Sequence, residues 1–178
     1  FNQPHLGVWL WRALARPFGK SALRIMSEVL FYHLERHTLE QVLPALLEKT
    51  LERGWKAIVQ VASPDRLASL DSHLWTYRDE AFLPHAAKGD ARFANNAAEQ
   101  PIWLTDEAET PNAANVLFLV DGASRPELDG FERCVFLFDG RDEESLARAR
   151  AQWSSLKTGP HELTYWQQGD DDTWQKKA

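Results

Sequence analysis

The sequence predicts a single α/β domain of Rossmann-like architecture, in which helices cover both faces of a mostly parallel sheet of five to six strands. Short, continuous apolar runs such as KAIVQVA, NVLFLV and RCVFLF are typical of strands buried on both sides. These runs alternate with segments of helical apolar spacing, and that order favours right-handed β-α-β units in three layers. A length of 178 residues suits one domain with a substantial core.

The strands are predicted from apolar and β-branched runs, and the loops from the small and polar residues between those runs. Residues 101–104 resemble a short edge strand, whereas 86–100 and 105–114 resemble polar loops. The tail from residue 167 is predicted to be polar and mobile. The predicted strands are 29–34, 56–62, 101–104, 115–120, 133–138 and 161–166.

Start and stop signals delimit the helices. Thr38 followed by Gln41 is a capping-box pattern, and Gly54 ends the helix that this pattern opens. Ser63 and Pro64 provide the cap and the first turn of a second helix. A third helix is predicted over 142–156, because its acidic first turn suits the positive end of the helix dipole.

Composition narrows the functional classes. The single cysteine, Cys134, excludes an intramolecular disulfide and a cysteine-cluster metal site, and is consistent with a reducing cytoplasm. No apolar run reaches the roughly 18 residues that a membrane-spanning helix needs. The net charge is −6, yet residues 1–25 contain four basic and no acidic residues, so the rest of the chain carries −10. An acidic body of this kind disfavours direct nucleic-acid binding.

Residues 1–25 are predicted to stand apart from the domain, as an N-terminal extension or a fused segment. The one methionine, Met26, directly precedes the first strand. Leucines at helical spacing, two tryptophans and four cations suit an interfacial or partner-binding helix that Pro17 ends. Secretory targeting is disfavoured because the basic residues do not precede the apolar part.

The stretch LDSHLWTYRDEAFLPH, residues 70–85, joins the end of the second helix to a charged turn and a proline. This order can place two large aromatics, Trp75 and Phe82, at a surface edge. Residue type alone favours the alternative that both rings belong to the core.

The sequence gives no positive evidence of catalysis. Neither a glycine-rich phosphate loop nor a nucleophile elbow is present. Asp121, Asp139 and Asp142 follow predicted strands and could meet around a hard cation, as in a nucleotide- or metal-dependent enzyme. The favoured interpretation assigns them to turns and a helix start, because Asp-Gly pairs are common turn residues.

The predicted third helix carries a second candidate site. Arg150, Trp153 and Lys157 follow one another at spacings of three and four residues, so they share a helix face. Guanidinium and ammonium groups beside an indole suit an acidic peptide that ends in an aromatic residue. A solvated basic face beside a core tryptophan is an equally good interpretation of these residues alone.

Six segments together are similar to one protein family. They are EVLFYHL, LDSHLWTYRDEAFLPH, NVLFLVDGA, FERCVFLFDG, DEESLARARAQWSSLK and HELTYWQQ. On these segments residues 26–178 resemble the chi subunit of bacterial DNA polymerase III holoenzyme over essentially their whole length. The resemblance implies a Rossmann-like, non-catalytic cytoplasmic adaptor without cofactor or metal, which links the clamp loader, through the psi subunit, to the acidic C-terminal tail of single-stranded DNA-binding protein.

The resemblance also implies site residues. The tail site would use Trp75, Arg150 and Trp153, with Lys157 available, and Ser154 stands where the family has a basic residue. The surface facing psi would be the segment Phe82, Leu83, Pro84 and His85.

Leu6 and Trp11, followed by Arg16-Pro17, faintly resemble the peptide with which psi binds the clamp loader. They would make residues 1–25 a tether to the clamp loader.

Overall fold

The computed structural model describes residues 26–171 and 173–178, which form one eight-stranded sheet with three helices. The strand order is β3-β4-β2-β5-β6-β1-β7-β8, and every neighbouring pair is parallel except β7 and β8. The strands are β1 (Glu28–Leu34), β2 (Ala57–Gln60), β3 (His85–Ala87), β4 (Ile102–Thr105), β5 (Val116–Val120), β6 (Arg133–Asp139), β7 (Glu162–Gln168) and β8 (Trp174–Lys176). The helices are α1 (Leu39–Glu52), α2 (Pro64–Thr76) and α3 (Glu143–Lys157). The predicted α/β Rossmann-like fold is confirmed.

Two apolar cores lie on opposite faces of the sheet, because successive strand side chains point to opposite sides. Leu30 and Tyr32 of β1 pack with the inner leucines of α1 and α2. Val29 and Phe31, which alternate with them, pack on the other face with Ala149 and its neighbours in α3. The helices therefore form the outer layers, with α1 and α2 on one side and α3 on the other.

The helix boundaries follow the predicted start and stop signals. The Thr38 backbone N–H donates to the Gln41 side chain over 2.9 Å at the start of α1. Gly54, whose φ of 73° suits a residue without a Cβ atom, follows the end of that helix. At the start of α2 the Arg66 backbone N–H donates to Ser63 Oγ over 3.3 Å. None of the helices in the described part of the chain has the length and apolar character to cross a bilayer.

Three expectations about the strands are wrong. Residues 102–105 form β4, a buried strand inside the sheet, and not an edge strand. One edge of the sheet is β3, a three-residue strand whose last two residues belong to the segment 86–100 that was predicted to be a loop. The tail carries β8, which pairs with β7 and buries Trp174. Strands of three residues are too short to show a period of two, so the sequence pattern cannot reveal them.

Part of the sequence-based interpretation falls outside the described residues. The predicted helix in residues 1–25, and with it the proposed tether at Leu6 and Trp11, lies outside the residues that the structure describes.

Candidate functional site

One candidate surface is the cationic face of α3, formed by Arg150, Trp153 and Lys157. Arg150 and Lys157 are exposed, and Trp153 is half-buried. Among residues 26–171 and 173–178, no carboxylate lies within ion-pair distance of either cation. Both charges are therefore available to an acidic partner.

The indole of Trp153 is held rigidly by neighbouring rings. Its centroid lies 5.3 Å from that of Phe31 on β1 and 5.8 Å from that of Tyr165 on β7, with both pairs close to perpendicular. Edge-to-face packing of this kind is favourable beyond the burial of area. The helix stripe of Ala149, Trp153 and Leu156 thus anchors α3 to the sheet and leaves the cations on its flank.

A small polar cluster lies beside the cationic face, at the carboxyl ends of β1 and β7. The Tyr165 hydroxyl is 3.0 Å from Nδ1 of His33, and the Arg150 charge acts on both groups. Burial lowers the pKa of His33, and the positive charge of Arg150 lowers it further against the opposing effect of Glu35. Burial also raises the pKa of Tyr165. The imidazole and the phenol are accordingly neutral neighbours of Arg150 at pH 7.

A second candidate surface is the aromatic edge, formed by Trp75 and Phe82. Trp75 is 40% exposed and Phe82 is 71% exposed, and their ring centroids are 6.0 Å apart. The prediction that this stretch brings two large aromatics to a surface edge is confirmed, and the core alternative is wrong. Two adjacent exposed rings are typical of a protein-binding patch.

The local sequence explains how the aromatic edge is held. Leu67, Leu70 and Leu74 fill the core stripe of α2, so Trp75, one position further, turns out of the core. Pro84 disfavours helical geometry at the preceding residue, and the chain runs on into β3.

His85, the first residue of β3, supports the edge from beneath. Its Nδ1 is 2.7 Å from the Leu83 carbonyl oxygen, and its Nε2 is 3.3 Å from Oδ1 of Asp71. The His85 ring also lies 4.5 Å from the ring of Trp75. This histidine therefore ties the loop to α2 and backs the exposed indole.

The structure corrects two parts of the predicted partner surface. Leu83 is 1% exposed and His85 is 2% exposed, so neither presents a side chain to a partner. Phe82 and, in part, Pro84 remain accessible. Alternation along an extended segment sends Phe82 outward and Leu83 inward, which the sequence-based assignment of the whole segment overlooked.

Trp75 also belongs to a different surface from the one predicted. It lies on α2 beside the edge strand β3, whereas Arg150 and Trp153 lie on α3, on the opposite face of the sheet. The strands β3 and β6 are four positions apart in the sheet, which adds about 19 Å of lateral separation. One pocket cannot contain both Trp75 and Arg150, and the indole of Trp75 pairs with Phe82 instead.

The strand-end carboxylates are each engaged by a guanidinium group. Arg66 donates through Nε to Oδ2 of Asp121 over 2.8 Å, and Arg141 donates to both oxygens of Asp139 over 2.8 and 2.9 Å. Hydrogen bonding by Arg141 holds the pKa of Asp139 below its usual range. In the described part of the chain, no three potential ligands are grouped as a metal site would require. Asp142 caps α3 by accepting from the Ser145 backbone N–H over 3.0 Å, which is the favoured sequence interpretation.

Two adjoining cavities lie at the carboxyl ends of β5 and β6, and sequence reasoning missed both. One, of about 200 Å³, is polar and lies where the connections after β1 and β6 leave toward opposite faces. The other, of about 270 Å³, lies under α3 and is lined mainly by apolar side chains. Their walls come from five separate segments of the chain, so local sequence patterns carry no signal for them.

The fold and the two exposed surfaces define a class: a Rossmann-like α/β domain that presents one cationic and one aromatic surface to solvent. The model of the family described as DNA polymerase III chi subunit, HolC, matches residues 26–164. The chain belongs to this family.

Two relatives agree with the family assignment. One, named probable DNA polymerase III subunit chi, from Rickettsia prowazekii, is 30% identical over 98 residues, which are 55% of this chain and 57% of the relative. Another, DNA polymerase III subunit chi from Pseudomonas aeruginosa, is 34% identical over 64 residues, 36% of this chain and 41% of the relative. The matches thus span about half the length of these relatives, or less.

Proposed function

We propose that the chain is a non-catalytic adaptor of the replicative polymerase, which links the clamp loader, through a psi subunit, to the acidic C-terminal tail of single-stranded DNA-binding protein. The family assignment supports a role in the polymerase III holoenzyme. Two exposed surfaces of different chemistry, on different parts of the sheet, support a bridging role.

The observation that carries the tail-binding proposal is the cationic face of α3. Arg150 and Lys157 are exposed cations with no ion-pair partner among residues 26–171 and 173–178, on either side of the ring-packed Trp153. A guanidinium can donate two hydrogen bonds to a carboxylate, and the ammonium adds a second charge. The overall acidic character of the chain makes this face a local exception, which favours recognition of an acidic ligand there.

The aromatic edge is the proposed docking surface for psi. Phe82 is exposed at its centre, and Trp75 flanks it on a rigid helix. Exposed aromatic rings on a preformed scaffold are frequent hot spots of protein interfaces. Residues 1–25 remain a candidate tether to the clamp loader, with Leu6 and Trp11 as its proposed contacts.

The tail-binding proposal predicts a specific loss in the variant Arg150→Gln. Titration calorimetry with an aspartate-rich peptide ending in Phe should show about tenfold weaker binding or more, because a charge-assisted hydrogen bond is lost. Affinity for the wild-type chain should also fall as salt is raised.

Arg92→Gln is the matched control for this titration. Arg92 is an exposed arginine paired with Asp90, away from α3. The control should bind like the wild type, and equal affinity of the Arg150 and Arg92 variants would remove the proposed site.

A further inference from the structure

The turn that follows β1, residues 35–37, directs three consecutive backbone N–H groups at one oxygen atom. All three donate to Oε1 of Gln168, a side chain that is 2% exposed. The distances are 3.0, 3.0 and 3.2 Å from Glu35, Arg36 and His37. Gln168 ends β7, which runs parallel beside β1, so its side chain reaches the turn. Consecutive N–H groups that converge in this way form a nest, a backbone arrangement that binds anions.

The nest has more donors than the oxygen it holds can accept well. A carbonyl oxygen offers two lone pairs, and here three N–H groups share it. An oxygen of a phosphate or a carboxylate suits three donors better, because hydrogen bonds to an ionised acceptor are shorter and about twice as strong. The turn itself carries one carboxylate and one cation, Glu35 and Arg36, so its own charge does not exclude an anion.

The nest lies where sheets of this architecture bind phosphate. The helices after β1 and β6 cover opposite faces, so the connections that leave these adjacent parallel strands diverge at the carboxyl edge. Open parallel sheets bind ligands at such a divergence, and the turn after a strand there holds the phosphate group. The turn in this chain contains no glycine, and the Gln168 amide occupies the nest instead.

Further contacts hold the amide in place. Nε2 of Gln168 donates to Nδ1 of His37 over 2.7 Å, because an amide NH₂ group can only donate. The Arg36 guanidinium donates to the carbonyl oxygen of Asp170, and the Gln167 side chain donates to the Glu35 carboxylate. The segment 167–170 therefore contacts all three residues of the turn.

We propose that residues 35–37 form an oxyanion-binding nest that Gln168 keeps closed. The amide is an internal substitute for the ligand, so the wild-type chain takes up no phosphate group there. Removal of the amide opens a site for inorganic phosphate. The closed nest also excludes the phosphate groups of a nucleotide from this edge of the sheet. The proposal is independent of the cationic face and of the aromatic edge.

The variant Gln168→Ala tests the proposal with inorganic phosphate as the probe. Phosphate is titrated into the ¹⁵N-labelled chain at constant ionic strength, with chloride as the balancing anion. The amide resonances of residues 35–37 should shift saturably in the variant and stay in place in the wild type. Phosphate should also raise the Tm of the variant by about 2–4 °C more than that of the wild type.

Gln175→Ala is the matched control, since Gln175 is an exposed glutamine on the neighbouring strand β8. It should respond to phosphate like the wild type. A folded Gln168→Ala variant whose amides 35–37 ignore phosphate overturns the proposal, and so does an equal response of the wild type.

Gln168→Glu gives a second test that does not require an empty nest. One carboxylate oxygen can accept from the same three N–H groups, and the other can accept from Nδ1 of His37 in its second neutral tautomer. The Tm of this variant should equal or exceed that of the wild type, and its amides should not respond to phosphate. A Tm well below the wild-type value means that the nest does not favour an anion, which also overturns the proposal.

Discussion

At the scale of single residues, His33 shows how burial next to a cation shapes the candidate site. The imidazole is 8% exposed, and its Nδ1 is 3.0 Å from the Tyr165 hydroxyl. Burial and the Arg150 charge lower its pKa, while Glu35 and Asp139 oppose that shift without reversing it. The neutral histidine therefore keeps a second positive charge away from Arg150.

This residue should make stability depend on pH in a defined window. Because the pKa of His33 is lower in the folded chain than the ordinary value of 6.5, protonation favours the unfolded state. The contribution of the neutral His33 to the free energy of unfolding is present above pH 6.5 and is lost as the pH falls below that value. Urea unfolding at pH 7.5 and pH 5 should show a smaller decline in the free energy of unfolding for His33→Gln than for the wild type. An identical decline in both would show that His33 does not titrate on unfolding.

At the scale of secondary structure elements, β8 is the one that the sequence pattern hid most completely. Trp174 is 7% exposed, and its ring meets that of Tyr32 edge-on at a centroid distance of 5.0 Å. The short strand thus covers the end of the core under β1. A polar tail with one tryptophan has no apolar period that would indicate a strand. Trp174 is buried by contact with Tyr32, a residue more than 100 positions away in the sequence.

Trp174 should accordingly contribute strongly to stability. We expect Trp174→Ala to lower the free energy of unfolding by about 3–5 kcal/mol, because it opens a cavity beside Tyr32. The exposed neighbour Lys176 is the control, and Lys176→Ala should change stability by less than about 0.5 kcal/mol. Urea denaturation of the two variants measures both values, and similar small effects would mean that β8 does not cover the core.

At the scale of the whole molecule, the sheet separates the two proposed docking surfaces. The cationic face lies on the α3 side and the aromatic edge lies beside β3 on the α2 side. The lateral distance between them is also about 19 Å, so the two surfaces do not overlap. This separation fits the proposed adaptor, which would hold both partners at once.

The separation predicts independent binding. The affinity of the chain for the acidic tail peptide should be unchanged in the presence of saturating psi. Phe82→Ala should abolish psi binding and leave the tail titration unaffected, whereas Arg150→Gln should weaken tail binding about tenfold or more and leave psi binding unaffected. Calorimetric titration of the peptide into the chain with and without psi measures this, and displacement of one ligand by the other would contradict it.

The sequence by itself determined the fold class, most of the strands and the boundaries of all three described helices, because periodicity and caps are local properties. It also indicated the cationic triplet of α3, since residues three and four apart on a helix must share a face. Only the tertiary structure decided that Trp75 pairs with Phe82 and not with Arg150, that Leu83 and His85 point inward, and that a cavity lies under α3. These features depend on which face of the sheet each helix covers and on which distant segments of the chain come into contact. Local sequence patterns encode neither property.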